Sequence, residues 1–522
     1  MRKRVILLTL LLLAACIVPP SDSARAITLV VDGESRVVVT EVLTVRDLLI
    51  EAEVALGEND RTVPAETTYI EDGMVVRVIR VDVRTETEQR EIPFEREVGH
   101  DTSVPAGETR LLQSGVTGLE EVSYRIIVED GEEVDRQILQ RVTLREPRNE
   151  IVLLGAQAEL KPVPIAGTVA FVADRNAWVM QTTSPNQRRL THTGDLDGHV
   201  LALSPDGSYL LFTRTTTETG ESAPINTLWV IGTVAVDAEP VQLQAEGILW
   251  AGWAPDCQGE PTGVGCRIAY STGTRAEGDP GWRAENDLWV AWPRAGDGRL
   301  FNKRRVVEPS AGGTYGWWGT TYAWSPGGQN LAYARADEVG VINVYSGVQT
   351  RLFPFSPYRT YASWAWTPTV GWSSEGGFIV TTLHGPSPTG EAPEDSPIFD
   401  VWAIDAAGTI SAELSSEAGM WASPAYARDG DLVAFFRSRS PYTSNTSSYD
   451  LYLMDRDGSG QRQLFPSEGE IGLEYHPQML AWGPRGGHLI LLHYGNLHMI
   501  DTMTGEVQQL TSGGNAAAVL WQ

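Results

Sequence analysis

After residue 200 the chain alternates apolar and polar positions in short runs broken by tight-turn residues, and one phrase recurs six times. An apolar run, usually ending in Trp, enters a turn rich in Pro, Asp and Gly, and a second apolar run follows. The copies are Leu201-Ala-Leu-Ser-Pro-Asp-Gly207, Trp253-Ala-Pro-Asp256, Trp324-Ser-Pro-Gly-Gly328, Trp372-Ser-Ser-Glu-Gly-Gly377, Tyr426-Ala-Arg-Asp-Gly430 and Trp482-Gly-Pro-Arg-Gly-Gly487. Apolar runs of this length between turn signals predict strands. Self-similarity at roughly 50 residues predicts a repeat architecture, here a β-propeller.

A third strand follows each pair and commonly opens with Asn or Asp. Examples are Asn176-Ala-Trp-Val-Met180, Asp287-Leu-Trp-Val290, Asp400-Val-Trp-Ala-Ile-Asp405 and Asn496-Leu-His-Met-Ile-Asp501. Short outer strands are expected at Gln187-Arg-Arg-Leu-Thr191, Gln461-Arg-Gln-Leu464 and Gln508-Gln-Leu-Thr511. The first group, from Thr168, lacks an inner strand, and the chain end, Ala517-Ala-Val-Leu-Trp-Gln522, is an inner strand without successors. Joining them closes a seventh blade and removes two open sheet edges. Six or eight blades are the alternatives to seven. The phrase resembles the repeats of TolB-like propellers, across residues 166–522.

The first half reads differently. Ile27-Thr-Leu-Val-Val-Asp-Gly33 and Ser35-Arg-Val-Val-Val39 form a hairpin pattern. Val45, Leu48, Leu49, Ala52 and Leu56 recur at helical spacing, with Thr44 as N-cap and Gly57 as stop. Strands are expected at Tyr69-Ile70 and Met74–Ile79. This small β-grasp-like plan over 27–81 resembles the ubiquitin-like domain of unknown function in resuscitation-promoting factors, notably at Val45-Arg-Asp-Leu-Leu and Glu71-Asp-Gly-Met-Val. Residues 82–156 resemble the five-glycine (G-five) domain of surface proteins. The resemblance rests on Glu91-Ile-Pro-Phe-Glu95, Val104-Pro-Ala-Gly-Glu-Thr-Arg110, Gln113-Ser-Gly115, Gly118, Tyr124-Arg-Ile-Ile-Val128, Asp130-Gly131 and Glu150-Ile-Val-Leu-Leu-Gly155. It implies flat, stalk-like sheets and binding of amino sugars of wall polymers, with a passive spacer as the alternative. Zinc-dependent self-association, known in some relatives, would have only His100 as an imidazole ligand here. Residues 157–165 read as a linker.

Composition supports the division, because all 17 Trp lie at or after Trp178. The start adds a compartment. Met1-Arg-Lys-Arg4 is basic, and Val5 to Ala15 is apolar apart from Thr9, too short for the ~20 residues of a spanning helix. Leu13-Ala14-Ala15-Cys16 resembles a bacterial lipobox, which implies that residues 1–15 are a signal peptide and Cys16 is acylated. Residues 16–26 would then be a tether to the membrane. Cys257 and Cys266, in a Gly/Pro-rich stretch, are expected to form a disulfide in an oxidising compartment. A net charge of −27 argues against nucleic acid as a partner.

No Gly-x-Ser-x-Gly, His-Glu-x-x-His or phosphate-loop motif occurs, and no cofactor-binding or metal site is expected. His488, His493 and His498 are spaced so that successive members should face opposite ways. Aromatic residues before inner strands should gather at one end of the propeller. Tyr315, Trp317, Trp318, Trp364, Trp366 and Trp421 are the candidate ligand contacts, suited to sugar rings or apolar side chains. Trp229, Trp289 and Trp402, on third strands, are expected to pack between blades. The insertions at 215–226, 273–286 and 385–399 are expected as loops that present partner-specific surface. The expected whole is a membrane-anchored binding protein. A glycan-acting propeller enzyme and a scaffold for envelope proteins are the alternatives.

Overall fold

A computed structural model describes residues 24–101, 109–155, 160–218, 220, 222–257, 266–388 and 390–522. The leader, Cys16, residues 104–108 of the G-five pattern, the His100 side chain and most of the stretch between Cys257 and Cys266 lie outside the described residues. The chain divides into two compact units, 1–97 with 111–152, and 98–110 with 153–522.

In the first unit, strands β1 (Arg25–Val31) and β2 (Glu34–Thr40) form a hairpin whose turn residues Asp32 and Gly33 both take positive φ. Helix α1 (Val45–Glu51) follows, with the Thr44 hydroxyl accepting from the Asp47 N–H. Strands β3 (Arg61–Val63) and β4 (Val75–Ile79) complete a four-stranded sheet of order β2-β1-β4-β3, with β1 and β4 parallel. Ile27, Leu29, Val45, Leu48, Leu49, Ile70, Val76 and Val78 are its core.

The helix ends earlier than expected. Ala52 caps it and Glu53 turns into the left-handed region, so Gly57 is not its stop. Gly57 instead gives its N–H to Asp60, which also takes the Val81 N–H and the Arg80 guanidinium. Those bonds hold the Asp60 carboxyl below its ordinary range, the Val81 N–H contributing most, with burial opposing. Tyr69 makes only an isolated bridge to Thr44, and β3 was not foreseen.

Behind this sheet, β5 (Val81–Ile92), β6 (Gly118–Glu129) and β7 (Glu132–Arg145) form a long antiparallel sheet with β6 in the middle. Only Val122, Tyr124 and Ile126 of this sheet form a buried cluster, with Val128 against it. The single thin apolar stripe follows from strands whose remaining positions are charged or exposed. Shorter strands occupy Arg96–Asp101, Thr109–Gln113 and Glu150–Gly155.

Among its described residues the second unit contains seven antiparallel sheets, each with a path of four strands, one of which carries a fifth short strand at its side. Six lie in sequence: blades 1 (196–246), 2 (248–307), 3 (321–354), 4 (370–415), 5 (425–465) and 6 (480–509). In blade 7, the last strand, Ala516–Trp521, pairs with Pro164–Ala173, which continues to Asn176–Thr183 and Gln187–Arg189. Strand Pro164–Ala173 begins inside the stretch expected as linker.

Two recurring side chains account for the repeat. In blades 2, 3, 4 and 6 the Trp that opens the turn phrase ends the innermost strand and donates its Nε1–H to the innermost strand of the preceding blade. Trp253 reaches the Ala202 carbonyl at 3.2 Å, Trp324 that of Gly252 at 3.2 Å, Trp372 that of Ala323 at 3.0 Å, and Trp482 that of Ala425 at 3.1 Å. Innermost strands lack a backbone partner on their channel side, so these indoles each satisfy one carbonyl of a neighbouring blade while burying a large ring. The Asn or Asp that opens the third strand fastens the link to the next blade. Asn176 and Asn496 accept the N–H of Gly194 and Gly514, at 2.9 and 3.0 Å, and Asp400 accepts that of Glu417 at 2.7 Å. In blades 7 and 6 the Leu-Thr of the outer strand adds a Thr hydroxyl, Thr191 or Thr511, that accepts the N–H following the Asn.

The third-strand indoles sit half-buried on the sheets. Trp229 lies under the Arg214 guanidinium, Trp289 under Arg305 and against Tyr270, and Trp402 against Phe353.

Candidate functional site

Residues that lead into innermost strands collect at one end of the propeller. A cleft of about 160 Å³ there is lined by His199 of blade 1, Leu249 and Trp250 at the start of blade 2, and Trp282 from the blade 2 insertion. Trp318, Gly319, Thr320 and Thr321 at the entry to blade 3, and Thr367 before blade 4, complete it.

Local chemistry explains how the lining is held. The loop before blade 3 wraps around the buried Asn286 amide. Its Nδ2–H donates to the Gly316 carbonyl at 2.8 Å, and its Oδ1 accepts from the Thr320 hydroxyl at 2.9 Å. Gly312 approaches so closely, at φ +72°, that a Cβ there would stand 2.3 Å from the Asn286 amide. The insertion at 273–286 is not a plain loop, because Trp282–Ala284 pairs back onto Gly273–Arg275 and Ala284 donates to the Trp317 carbonyl. That pairing sets Trp282 against Trp318, with ring centroids 5.3 Å apart, and edge-on to His199 at 5.0 Å.

His199 is positioned in turn by Asp197, whose Oδ2 lies 3.2 Å from Nδ1. Asp197 also accepts from the Asn226 amide at 2.7 Å and from the Thr213 hydroxyl. Burial pushes its carboxyl up, but the His199 and Thr213 bonds outweigh burial and hold it below the ordinary range.

A second aromatic group lies before blades 4 to 6. Trp421 stacks on Tyr475 at 5.2 Å and 5°, with Trp364 5.8 Å away. The six aromatic candidates therefore separate. Trp318 lines the cleft, Trp317 packs edge-on against it at 5.8 Å, and Trp364 and Trp421 join the second group. Tyr315, half-buried at φ +54°, shapes the turn through its carbonyl, which accepts from the Trp318 N–H. Trp366 is withdrawn from ligand contact. It is 1% exposed, donates to the Met420 carbonyl at 2.9 Å, and is enclosed by Phe399 and Phe355. The periodicity that placed it before an innermost strand could not reveal that Phe355, Met420 and Phe399, the last residue of the 385–399 insertion, enclose it. That insertion is anchored by Arg359, whose N–H donates to the Glu394 carbonyl.

His199, Trp250 and Trp282 were not foreseen. His199 and Trp250 fall on strands, and Trp282 falls in an insertion whose pairing no local pattern specifies.

Elsewhere, the Cα atoms of Cys257 and Cys266 lie 4.6 Å apart, within disulfide range. His493 and His498 do not point apart as expected. Their rings are 5.8 Å apart across the hairpin of blade 6, whereas His488 faces Asp501. No cluster of three or more His, Cys, Asp or Glu that could hold a metal ion occurs among the described residues. No described helix is long and apolar enough to cross a membrane.

Known proteins match the first half by sequence. A G5 domain model matches residues 83–157, and a G5-linked ubiquitin-like domain model matches residues 27–67. Residues 27–157 are a ubiquitin-like–G5 tandem. The chain is 28% identical over 143 residues to the resuscitation-promoting factor RpfB of Mycolicibacterium smegmatis, a match covering 26% of this chain and 40% of that protein. The chain thus spans about two fifths of the length of this curated relative. Among solved structures, TolB from Acinetobacter baumannii aligns at 11% identity and a TM-score of 0.38, over 84% of this chain and 100% of its own. The periplasmic gluconolactonase PpgL of Pseudomonas aeruginosa aligns at 14% identity and a TM-score of 0.42, over 67% of this chain and 97% of its own. The propeller architecture rests on the seven sheets and their closure.

Proposed function

We propose that this protein is exported and held to the bacterial cell membrane by acylation of Cys16. Its ubiquitin-like–G5 tandem binds cell-wall or surface glycan, and its propeller offers the aromatic end to a protein or glycan ligand. The observation that carries the wall-binding part is the tandem itself. Two domain models match side by side, and a resuscitation-promoting factor aligns with a stretch of the chain. The anchoring part rests on the basic and apolar leader that ends in Leu13-Ala14-Ala15-Cys16.

Cosedimentation of the mature chain with purified peptidoglycan tests the first part, beside a chain that begins at residue 160. The longer chain sediments and the shorter one does so weakly. Equal behaviour of the two refutes wall binding through the tandem. For the anchor, Cys16→Ser releases the protein from the membrane fraction and abolishes incorporation of labelled palmitate; unchanged fractionation and labelling refute acylation.

A further inference from the structure

Within that reading, the propeller's ligand can be narrowed by the chemistry of its cleft. At about 160 Å³ the cleft is well below the ~300–1,000 Å³ of drug-sized pockets, which limits it to one ring at a time. Its walls combine aromatic surface with polar atoms that have no internal partner. Trp250, Trp282 and Trp318 are half-buried, so each retains surface to offer. The Asp197 carboxylate lies 3.2 Å from His199 Nδ1, and neither His199 Nε2 nor the Thr367 hydroxyl has a protein hydrogen bond among the described residues.

This combination discriminates between occupants. An apolar peptide side chain would cover Nε2 and the hydroxyl without satisfying them, and an unpaired buried polar group costs ~1–3 kcal/mol. A pyranose presents C–H groups on its face and hydroxyls at its edge. It can lie against indole while an edge hydroxyl, which both donates and accepts, hydrogen-bonds His199 Nε2 and another pairs with Thr367.

We propose that this cleft is a carbohydrate subsite for a single pyranose ring, with Trp282 and Trp318 as its apolar wall and His199 and Thr367 as its hydroxyl-reading groups. Asp197 acts as a positioning residue through His199. The inference rests on the surface-binding reading only in taking a glycan as the ligand class, and it concerns a different part of the chain from the tandem.

The test uses the full mature chain. Glucose, N-acetylglucosamine and, as the apolar competitor, N-acetylphenylalanine amide are titrated with intrinsic Trp fluorescence and saturation-transfer NMR as readouts. Saturable sugar binding is expected, with transfer to the ring C–H protons. Trp282→Ala weakens it about tenfold, the loss of one aromatic stacking contact. Thr367→Val, a near-isosteric change, weakens it while leaving the melting temperature unchanged. Asp197→Ala weakens sugar affinity and Asp197→Asn, which keeps an oxygen beside His199 Nδ1, restores it, a rescue that a charge-dependent structural role would not give.

No saturable sugar binding by the wild-type chain overturns the proposal, as does preferential binding of the phenylalanine amide. Sugar affinity unchanged by Thr367→Val and Trp282→Ala together also overturns it. Cosedimentation with peptidoglycan separates this from the parent reading. A chain that sediments but binds no free sugar refutes the cleft alone; one that binds sugar but does not sediment refutes the tandem's role alone.

Discussion

Asp400 occupies the position that Asn fills in blades 6 and 7, and replacing it by Asn should stabilise the propeller at neutral pH. Its Oδ1 accepts the Glu417 N–H, as the Asn176 and Asn496 oxygens accept those of Gly194 and Gly514. Burial pushes the Asp400 carboxyl up to about 6, with Glu413 and Glu417 adding to the rise against the Glu417 N–H bond. The folded-state value therefore lies above the unfolded one near 3.8. Between them the folded state binds more protons than the unfolded state, so stability falls as pH rises through this window. The contribution of the neutral carboxyl is complete below about pH 4 and is lost as pH passes about 6.

A shift of roughly two units corresponds to about 3 kcal/mol, and partial solvent screening of the group reduces this to about 1–2 kcal/mol. Asp400→Asn retains the acceptor and has no proton to lose. Its advantage over wild type should be near constant below pH 4, grow between pH 4 and 6, and level off at about 1–2 kcal/mol, or about 1–3 °C in melting temperature for a domain of this size. Parallel thermal melts of both proteins at half-unit pH steps measure the difference, which cancels the titrating groups that do not interact with Asp400. A difference that stays flat from pH 4 to 7.5, or that grows toward acid, refutes the reasoning.

Other expectations follow from the same architecture. Trp324→Phe removes the indole donor to the Gly252 carbonyl and should cost about 1–2 kcal/mol, whereas Trp402→Phe, which carries no such inter-blade bond among those described, should cost less in the same urea titration. Deleting residues 516–522 strips blade 7 of Val519 and Trp521 and exposes the Pro164–Ala173 edge. A loss of about 3–6 kcal/mol and concentration-dependent association are expected, visible by light scattering; a monomer with wild-type melting would refute the closure. Cys257→Ser with Cys266→Ser should lower stability by about 2–3 kcal/mol in oxidising buffer and by nothing under reductant, and an equal effect in both would exclude the disulfide.

The sequence alone determined the repeat, the strand order within each blade and the closure by the chain ends. These depend on local periodicity and turn chemistry, which the residues carry themselves. Trp324 and Asn496 show why the pattern is so legible: each makes the same bond at the same position in successive blades, so one physical requirement is written several times. The ubiquitin-like–G5 tandem was legible through its resemblance to known domains, carried by turn and strand residues such as Glu71-Asp-Gly-Met-Val and Gln113-Ser-Gly115. The helix end at Ala52 escaped, because the bonds that Asp60 gathers from Gly57, Arg80 and Val81 are non-local. The cleft shows the same limit more sharply. His199, Trp250, Trp282, Trp318 and Thr367 come from four successive blades and an insertion, and only the packing of those blades on one another brings them together. Trp366 and Trp364 are two residues apart and were indistinguishable by pattern. Tertiary structure buried one among Phe355, Phe399 and Met420 and left the other half-exposed beside Trp421, because burial depends on what packs over a residue and not on where it stands in its repeat.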